Sequence, residues 1–195
     1  MERGQIHALE GILAAVLLVL SLVFALQVSA VTPMTESTSS QHIENQQRAV
    51  GTDLLQAAAE DGSLKAAVLY WDNDSATYHG SNPDGIYTND LPDELRLGSE
   101  LERTLTDRGI AYNLEVNYVD DGEVRSRTIV KQGEPSDHAV TATQVLTLYE
   151  GDPLTDESGD PDGTGLGEGT TFYAPNESDE PLYNVVEIEL RLWRM

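Results

Sequence analysis

Residues 11–31 read GILAAVLLVLSLVFALQVSAV, and this apolar run without a charged side chain decides how the chain is organised. A helix over the run is roughly 30 Å long, which is the thickness of the apolar core of a bilayer. Three interpretations are open: a secretory signal that is removed, a plain membrane anchor, and an apolar helix retained behind a short leader. The apolar core of a secretory signal has roughly 7–15 residues, so this run is too long for one. Residues 28–30 nevertheless form an acceptable cleavage site, so cleavage there stays open. We predict a single-pass membrane helix over residues 5–32.

The charge of the chain is concentrated on one side of this run. The net charge is −23, and only Glu2, Arg3 and Glu10 are charged before residue 32. Arg3 and the initiator amine favour a cytoplasmic N-terminus, which leaves the acidic remainder outside the cell. Such a charge excludes a nucleic-acid-binding protein, because phosphate recognition needs patches of Lys and Arg. A surface this acidic is best tolerated where salt screens it, so we expect a halophilic protein at the cell surface.

The part of the chain that follows the run begins with helical patterns. Pro33 ends the first helix. Residues 33–62 predict an extracellular continuation of it, with a narrow apolar stripe from about residue 39 to residue 60. Residues 64–71 favour a short helix over a buried strand. Leucines at 97, 101 and 105 predict a helix over residues 93–108 that buries one face.

The remaining pattern is that of strands, which makes residues 63–195 an acidic α+β head with an antiparallel sheet. Residues 120–122 (Asp-Asp-Gly) predict a hairpin turn between the first two strands. Alternation of apolar and polar residues predicts strands over residues 110–119 and 182–193. Residues 123–131 are the strand that returns from the turn, and residues 140–149, rich in Thr and Val, are a further strand. Two stretches rich in Asp, Gly, Ser and Asn predict loops, over residues 72–90 and 151–181. In the second, Phe172 and Tyr173 are expected to attach the chain to the core.

Residues 3–27, RGQIHALEGILAAVLLVLSLVFALQ, resemble the class III signal peptides of archaeal type IV pilin-like proteins. The resemblance implies that a prepilin peptidase cuts between Gly4 and Gln5, after Arg3, and that residues 1–4 are a leader. It also implies a fold in which an antiparallel sheet wraps a long N-terminal helix. The implied partners are the peptidase, the assembly machinery and other pilin-like subunits. Residues 171–175 (TFYAP) and 181–195 (PLYNVVEIELRLWRM) look like an uncharacterised haloarchaeal pilin-like family.

The residues around the start of the run are the candidate assembly site. In the family that the chain resembles, an acidic residue commonly lies at mature position five, whereas Glu10 would be sixth, so we expect a minor or accessory subunit. Glu10 has two interpretations: it meets the Gln5 amine of a neighbouring subunit, or it lies at the membrane interface near the positive end of the helix. Gly11, Ala14 and Ala15 are small and allow close helix packing.

Other candidate sites lie in the predicted loops. Carboxylates are ligands that Ca²⁺ accepts, and the acidic loop offers such a set, although it lacks the EF-hand pattern: Asp152, Asp156, Asp160 and Asp162. A solvated acidic loop is the alternative interpretation. Asn73 and Asn176 begin N-x-Ser sequons and are candidate glycosylation sites.

The sequence carries no motif of nucleophilic or metal-dependent catalysis: neither G-x-S-x-G nor H-E-x-x-H occurs, and there is no cysteine. We therefore predict a protein that is not an enzyme and has neither a cofactor nor a metal. Its predicted function is that of a membrane-anchored pilin-like surface protein. The alternative is a single-span anchored extracellular module that does not assemble and binds an ion, a glycan or a protein.

Overall fold

The computed structural model describes the backbone of residues 2–31, 33–167, 169–177 and 181–194, and the side chains of these residues except 2–9, 25–31 and 33–40. The chain divides into two compact units, Met1–Ile43 and Glu44–Met195. The helices are α1 (Glu2–Val31), α2 (Pro33–Glu60), α3 (Ser63–Val68), α4 (Arg96–Thr104) and a 3₁₀ turn (Thr106–Arg108). The strands are β1 (Trp71–Asp72), β2 (Thr77–Tyr78), β3 (Ile110–Asp120), β4 (Glu123–Lys131), β5 (Val140–Tyr149), β6 (Pro153–Thr155), β7 (Pro161–Gly165) and β8 (Leu182–Arg194).

The apolar run lies in α1, whose backbone is helical as predicted. The next helix begins at Pro33 rather than near residue 39. Proline suits the first helical position, because the N–H that it lacks would have no partner there. In the portions of the chain that the structure describes, no helix is long and apolar enough to cross a membrane.

The sheet of the second unit confirms the predicted α+β class. Its four strands are antiparallel and lie in the order β4-β3-β8-β5. All four predicted strands are present, and apolar residues of β3 and β8 alternate on one buried face, including Leu114, Val116 and Ile188. The predicted hairpin joins β3 and β4, with positive φ at Asp121 and Gly122.

Two helices cover the buried face of this sheet. In α2, Leu55 and Ala58 are fully buried, and a Cβ on Gly51 would lie 2.8 Å from the Leu192 side chain, so helix and sheet are in close contact. In α4, Leu97 and Leu101 are fully buried as predicted. This helix begins at Arg96 rather than at residue 93, because residues 92–95 form a turn in which the Leu95 N–H donates to the Pro92 carbonyl at 3.1 Å.

Both stretches predicted as loops contain short hairpins. Strands β1 and β2 pair at residues 71–78, so Trp71 lies in a strand rather than at the end of the helix predicted over residues 64–71, which ends at Val68. Strands β6 and β7 pair within residues 151–181. The second stretch is therefore not a solvated loop: Leu154, Leu166 and Ala174 in it are buried. Phe172 and Tyr173 pack against the core cluster, as predicted.

Candidate functional site

Helix α1 exposes apolar side chains around its circumference between residues 12 and 24. Its only polar side chain there, Ser21, donates its hydroxyl to the Leu18 carbonyl at 2.9 Å, within the helix. The large apolar side chains of this segment are 44–69% exposed: Ile12, Leu13, Val16, Leu17, Leu18, Val19, Leu20, Leu22, Val23 and Phe24. A helix that is apolar on every side requires an apolar environment, either protein or lipid.

The predicted assembly residues lie at the start of the same segment. Gly11, Ala14 and Ala15 have the i, i+3, i+4 spacing of one helix face, and a Cβ on Gly11 would meet nothing within 4 Å. Ala14, Ala15 and Glu10 are exposed. The side chains of the predicted cleavage residues, at positions 3–5, lie outside the described residues.

The four acidic residues of the predicted ion site do not converge on one point. Asp152 pairs with Lys65 at 2.5 Å and accepts the Tyr149 N–H at 2.7 Å. Asp156 accepts the N–H groups of Ser158 and Asp160, at 2.8 and 3.1 Å, and so closes the turn between β6 and β7. The carboxylates thus stabilise local backbone structure, and Asp160 and Asp162 are exposed.

A different carboxylate group forms at the tip of the β3–β4 hairpin. Asp120, Asp121 and Glu177 place carboxylate oxygens within 4.8 Å of one another, the one such group of three found among the described residues. Asp120 pairs with Arg125 at 2.6 Å, and Glu177 accepts the Asp121 N–H at 2.9 Å. Sequence reasoning missed this group, because only folding brings Glu177 to the hairpin.

The two sequons differ in accessibility. Asn73 is half-buried, and its side-chain oxygen accepts the Thr171 N–H at 2.7 Å. Asn176 is exposed, and its amide nitrogen donates to the Glu150 carboxylate at 2.6 Å. Because Asn176 is exposed, a glycan could replace one hydrogen of its side-chain amide without displacing buried residues.

Arg127 lies within an arginine–aromatic cluster that the sequence did not predict. Its guanidinium carbon is 4.7 Å from the centre of the Trp71 ring and 5.6 Å from the centres of the Tyr78 and Tyr173 rings. The buried Nε of Arg127 has no hydrogen-bond partner, and no carboxylate pairs with Arg127 within the described ranges. The ring faces therefore stabilise this charge. The motif TFYAP pointed to Tyr173, but nothing in β4 distinguished Arg127 from Arg125.

The side chains of the arginine–aromatic cluster stabilise the fold. Burial raises the pKa of the Tyr78 and Tyr173 phenols, so both stay neutral at ordinary pH. Trp71 Nε1 donates to the Thr171 carbonyl at 2.5 Å. These contacts hold the β1–β2 hairpin, β4 and the end of the 151–181 segment together.

These features define an α+β protein in which an N-terminal helix with an exposed apolar segment precedes a four-stranded antiparallel sheet. The chain belongs to DUF7288, a family of unknown function, which matches residues 3–192. The match covers the N-terminal helix as well as the sheet, so both are part of what the family shares. No curated protein and no solved structure matches the chain.

Proposed function

We propose that this chain is a membrane-anchored, pilin-like cell-surface protein and serves, without enzymatic activity, as a minor or accessory subunit of a type IV pilus-like assembly. The observation that carries the proposal is the exposure of every large apolar side chain of α1 from Ile12 to Phe24. In water this exposure is unfavourable, because burying apolar surface is worth roughly 25 cal/mol per Å².

A bilayer or a bundle of like helices would remove that cost. The described side chains of this part of α1 end at Phe24, whereas the apolar run of the sequence continues to residue 31. The full run has the length that a bilayer requires. In a bundle, the face formed by Gly11, Ala14 and Ala15 would allow a neighbouring helix to approach closely.

The head supports a location outside the cell. It contains 27 of the 34 acidic residues of a chain whose net charge is −23. Such a surface keeps copies apart at low salt and is tolerated in a salty medium, where charges are screened. With Arg3 on the cytoplasmic side, the chain would cross the membrane once and expose the head.

The leader supports processing before assembly. A prepilin peptidase cutting after Gly4 would leave Gln5 as the first residue and Glu10 as the sixth. In the bundle, the Glu10 carboxylate would accept a hydrogen bond from the free amine of a neighbouring subunit's Gln5. This pairing would lower the free-energy cost of placing a carboxylate at the edge of the bilayer.

The test is the N-terminus of the mature protein from its native membrane, by intact mass and peptide sequencing. We expect the chain to start at Gln5, and Gly4→Leu to block this processing. Gly11→Leu is the matched control, because a Cβ there meets nothing within 4 Å and the position lies beyond the cut.

Two other outcomes would contradict the proposal in different ways. An intact Met1 in the wild-type chain would exclude leader processing and would favour an anchored extracellular binding module. A start after Ala30 would mean that the head is released, and the assembly role would be wrong.

A further inference from the structure

The two edges of the four-stranded sheet are protected differently. At the β4 edge, the Tyr87 N–H donates to the Ile129 carbonyl and the Lys131 N–H donates to the Tyr87 carbonyl, both at 2.9 Å. At the β5 edge, no backbone group of residues 140–148 bonds to backbone outside the β5–β8 ladder within the described part of the chain. Among the side chains that the structure describes, only that of Gln144 reaches this backbone, where its amide nitrogen donates to the Val145 carbonyl at 3.2 Å.

The sequences of the two edge strands differ in the same sense. Strand β4 reads EVRSRTIVK and carries four charged side chains, which discourage pairing with another strand. Strand β5 reads VTATQVLTLY, which is ten residues without a charge. In the whole chain 23% of residues are charged, so this stretch of an acidic head is locally neutral.

Exposed apolar side chains adjoin the β5 edge. Val145 is 53% exposed and Tyr149 is 46% exposed, and Val185 on the neighbouring strand is 44% exposed. Val145 and Val185 line a shallow cavity of about 200 Å³ together with Val119 and Val124. The charged side chains of the open face begin one strand inward, where Glu187 of β8 lies opposite Val145 and lines the same cavity, so the edge strand itself offers apolar and neutral side chains.

We propose that the β5 edge pairs antiparallel with the β5 edge of a second copy of this chain. Two copies with a net charge of −23 repel each other wherever acidic residues meet. The β5 edge brings two backbones together without placing like charges opposite one another. A strand that pairs with itself in this way makes a two-fold symmetric contact.

The pattern of β5 fits pairing about a two-fold axis at Gln144. Such pairing puts Ala142 opposite Leu146 on the buried face and Thr143 opposite Val145 on the open face. Even-numbered residues of β5 then meet even-numbered residues, so each face continues across the contact. The two four-stranded sheets would become one continuous sheet of eight strands.

The test uses the absence of cysteine from the chain. Thr143→Cys, Gln144→Cys and Val145→Cys are each introduced alone into the full chain in its native membrane, and the membranes are oxidised in concentrated KCl. Opposed residues have Cα atoms about 4.5–5.5 Å apart, within the range that a disulfide bridges. Only position 144 faces itself across the axis, so we expect dimers on non-reducing gels from Gln144→Cys. Thr143→Cys and Val145→Cys should give far less dimer, because each faces the other position and its own copy lies diagonally, about 7–8 Å away.

The matched control is Ser126→Cys, because Ser126 is exposed on the opposite edge strand. Packing of N-terminal helices alone would bring copies together without favouring β5, so a dimer yield at Ser126 equal to that of Gln144→Cys would overturn the proposal. Absence of dimer from Gln144→Cys would also overturn it.

A second variant separates edge pairing from general association. Adding Val145→Lys to Gln144→Cys places two lysines near the two-fold axis, and we expect the dimer yield to fall by about tenfold. An unchanged yield would contradict pairing at this edge. The readout needs no leader cleavage, so an uncut N-terminus would count against the proposed function and leave this inference standing.

Discussion

Arg127 shows how one residue holds three segments of the head together. Its guanidinium carbon lies 4.7 Å from the Trp71 ring centre and 5.6 Å from two tyrosine ring centres. A desolvated cation over an aromatic ring contributes about 2 kcal/mol or more. We expect Arg127→Ala to lower the free energy of unfolding by about 2–3 kcal/mol, and Arg127→Lys by less, because lysine keeps the charge and loses the planar stacking. Denaturant unfolding measures both.

The control for Arg127 is Arg125, two residues earlier on the same strand. Arg125 is 54% exposed and pairs with Asp120 at 2.6 Å. An exposed ion pair of this kind is worth about 0–1 kcal/mol. We therefore expect Arg125→Ala to lower the free energy of unfolding by at most about 1 kcal/mol, which is less than the loss expected for Arg127→Ala. Equal losses at the two positions would show that the aromatic rings contribute nothing.

A second prediction for a single residue concerns the pKa of Asp72 and the pH dependence of the stability that it contributes. Its carboxylate accepts the Ser75 hydroxyl at 2.5 Å and the Asp74 N–H at 2.9 Å. These bonds, the Ser75 hydroxyl first, hold the pKa of Asp72 below its ordinary value of 3.8. Because the folded-state pKa is lowered, the stabilisation is present above the unfolded-state pKa and is lost as pH falls through the folded-state pKa.

We expect Ser75→Ala to raise the pKa of Asp72 toward 3.8 in an NMR titration of the carboxyl carbon. Ser99→Ala is the control, because the Ser99 hydroxyl donates to the Arg96 carbonyl in another element. A Ser75→Ala variant whose Asp72 titrates as in the wild type would refute the role of that hydroxyl.

At the scale of elements, the start of α4 depends on a close backbone contact. A Cβ on Gly98 would lie 2.3 Å from the Pro92 carbonyl oxygen and 2.9 Å from the Leu91 carbonyl oxygen. Helix propensity alone predicts that Gly98→Ala stabilises α4 by about 1 kcal/mol. The contact reverses that sign, since backbone cannot move aside as a flexible side chain does. We expect a loss of about 1–3 kcal/mol in the free energy of unfolding.

The neighbouring Ser99→Ala variant tests the same helix without the clash. Ser99 is exposed, so the change is expected to stay within about 0.5 kcal/mol. A stabilised Gly98→Ala variant in thermal or denaturant unfolding would mean that the turn at residues 92–95 is free to move.

The elements that the sequence predicted well are those whose pattern repeats. Strands β3 and β8 alternate apolar and polar residues, and α4 repeats leucine every fourth residue. Strand β4 was predicted from the hairpin turn before it, and β5 from its content of Thr and Val. The hairpins β1–β2 and β6–β7 have strands of two to five residues, too short for a periodic signal. They depend on distant contacts instead, such as the Thr155 N–H donating to the Leu69 carbonyl at 2.8 Å.

The candidate sites divide in the same way. Residues near one another in sequence, such as Gly11, Ala14 and Ala15, share a helix face as their spacing predicted. The arginine–aromatic cluster and the Asp120–Asp121–Glu177 group each join side chains that are distant in sequence. No local pattern encodes such a meeting, which is why sequence reasoning did not find either.

At the scale of the whole molecule, the net charge of −23 makes stability depend on salt. The Debye length falls from about 10 Å at 0.1 M salt to about 3 Å at 1 M, so repulsion between exposed carboxylates is largely screened. We expect the thermal midpoint to rise with KCl concentration over this range. A gain of about 2 kcal/mol corresponds to roughly 4–8 °C for a chain of this size.

The contribution of charge is isolated by substitution at three exposed acidic residues that belong to none of the ion pairs described above: Asp107, Glu123 and Asp137. The triple variant Asp107→Asn, Glu123→Gln, Asp137→Asn should narrow the difference between the midpoints at low and high salt, chiefly by raising the low-salt midpoint, because less repulsion remains to be screened. The charge-conserving triple Asp107→Glu, Glu123→Asp, Asp137→Glu is the control and should keep the wild-type salt dependence. If both triples respond to KCl alike, salt acts on the head through something other than its charge, and the acidic surface would no longer support a high-salt environment.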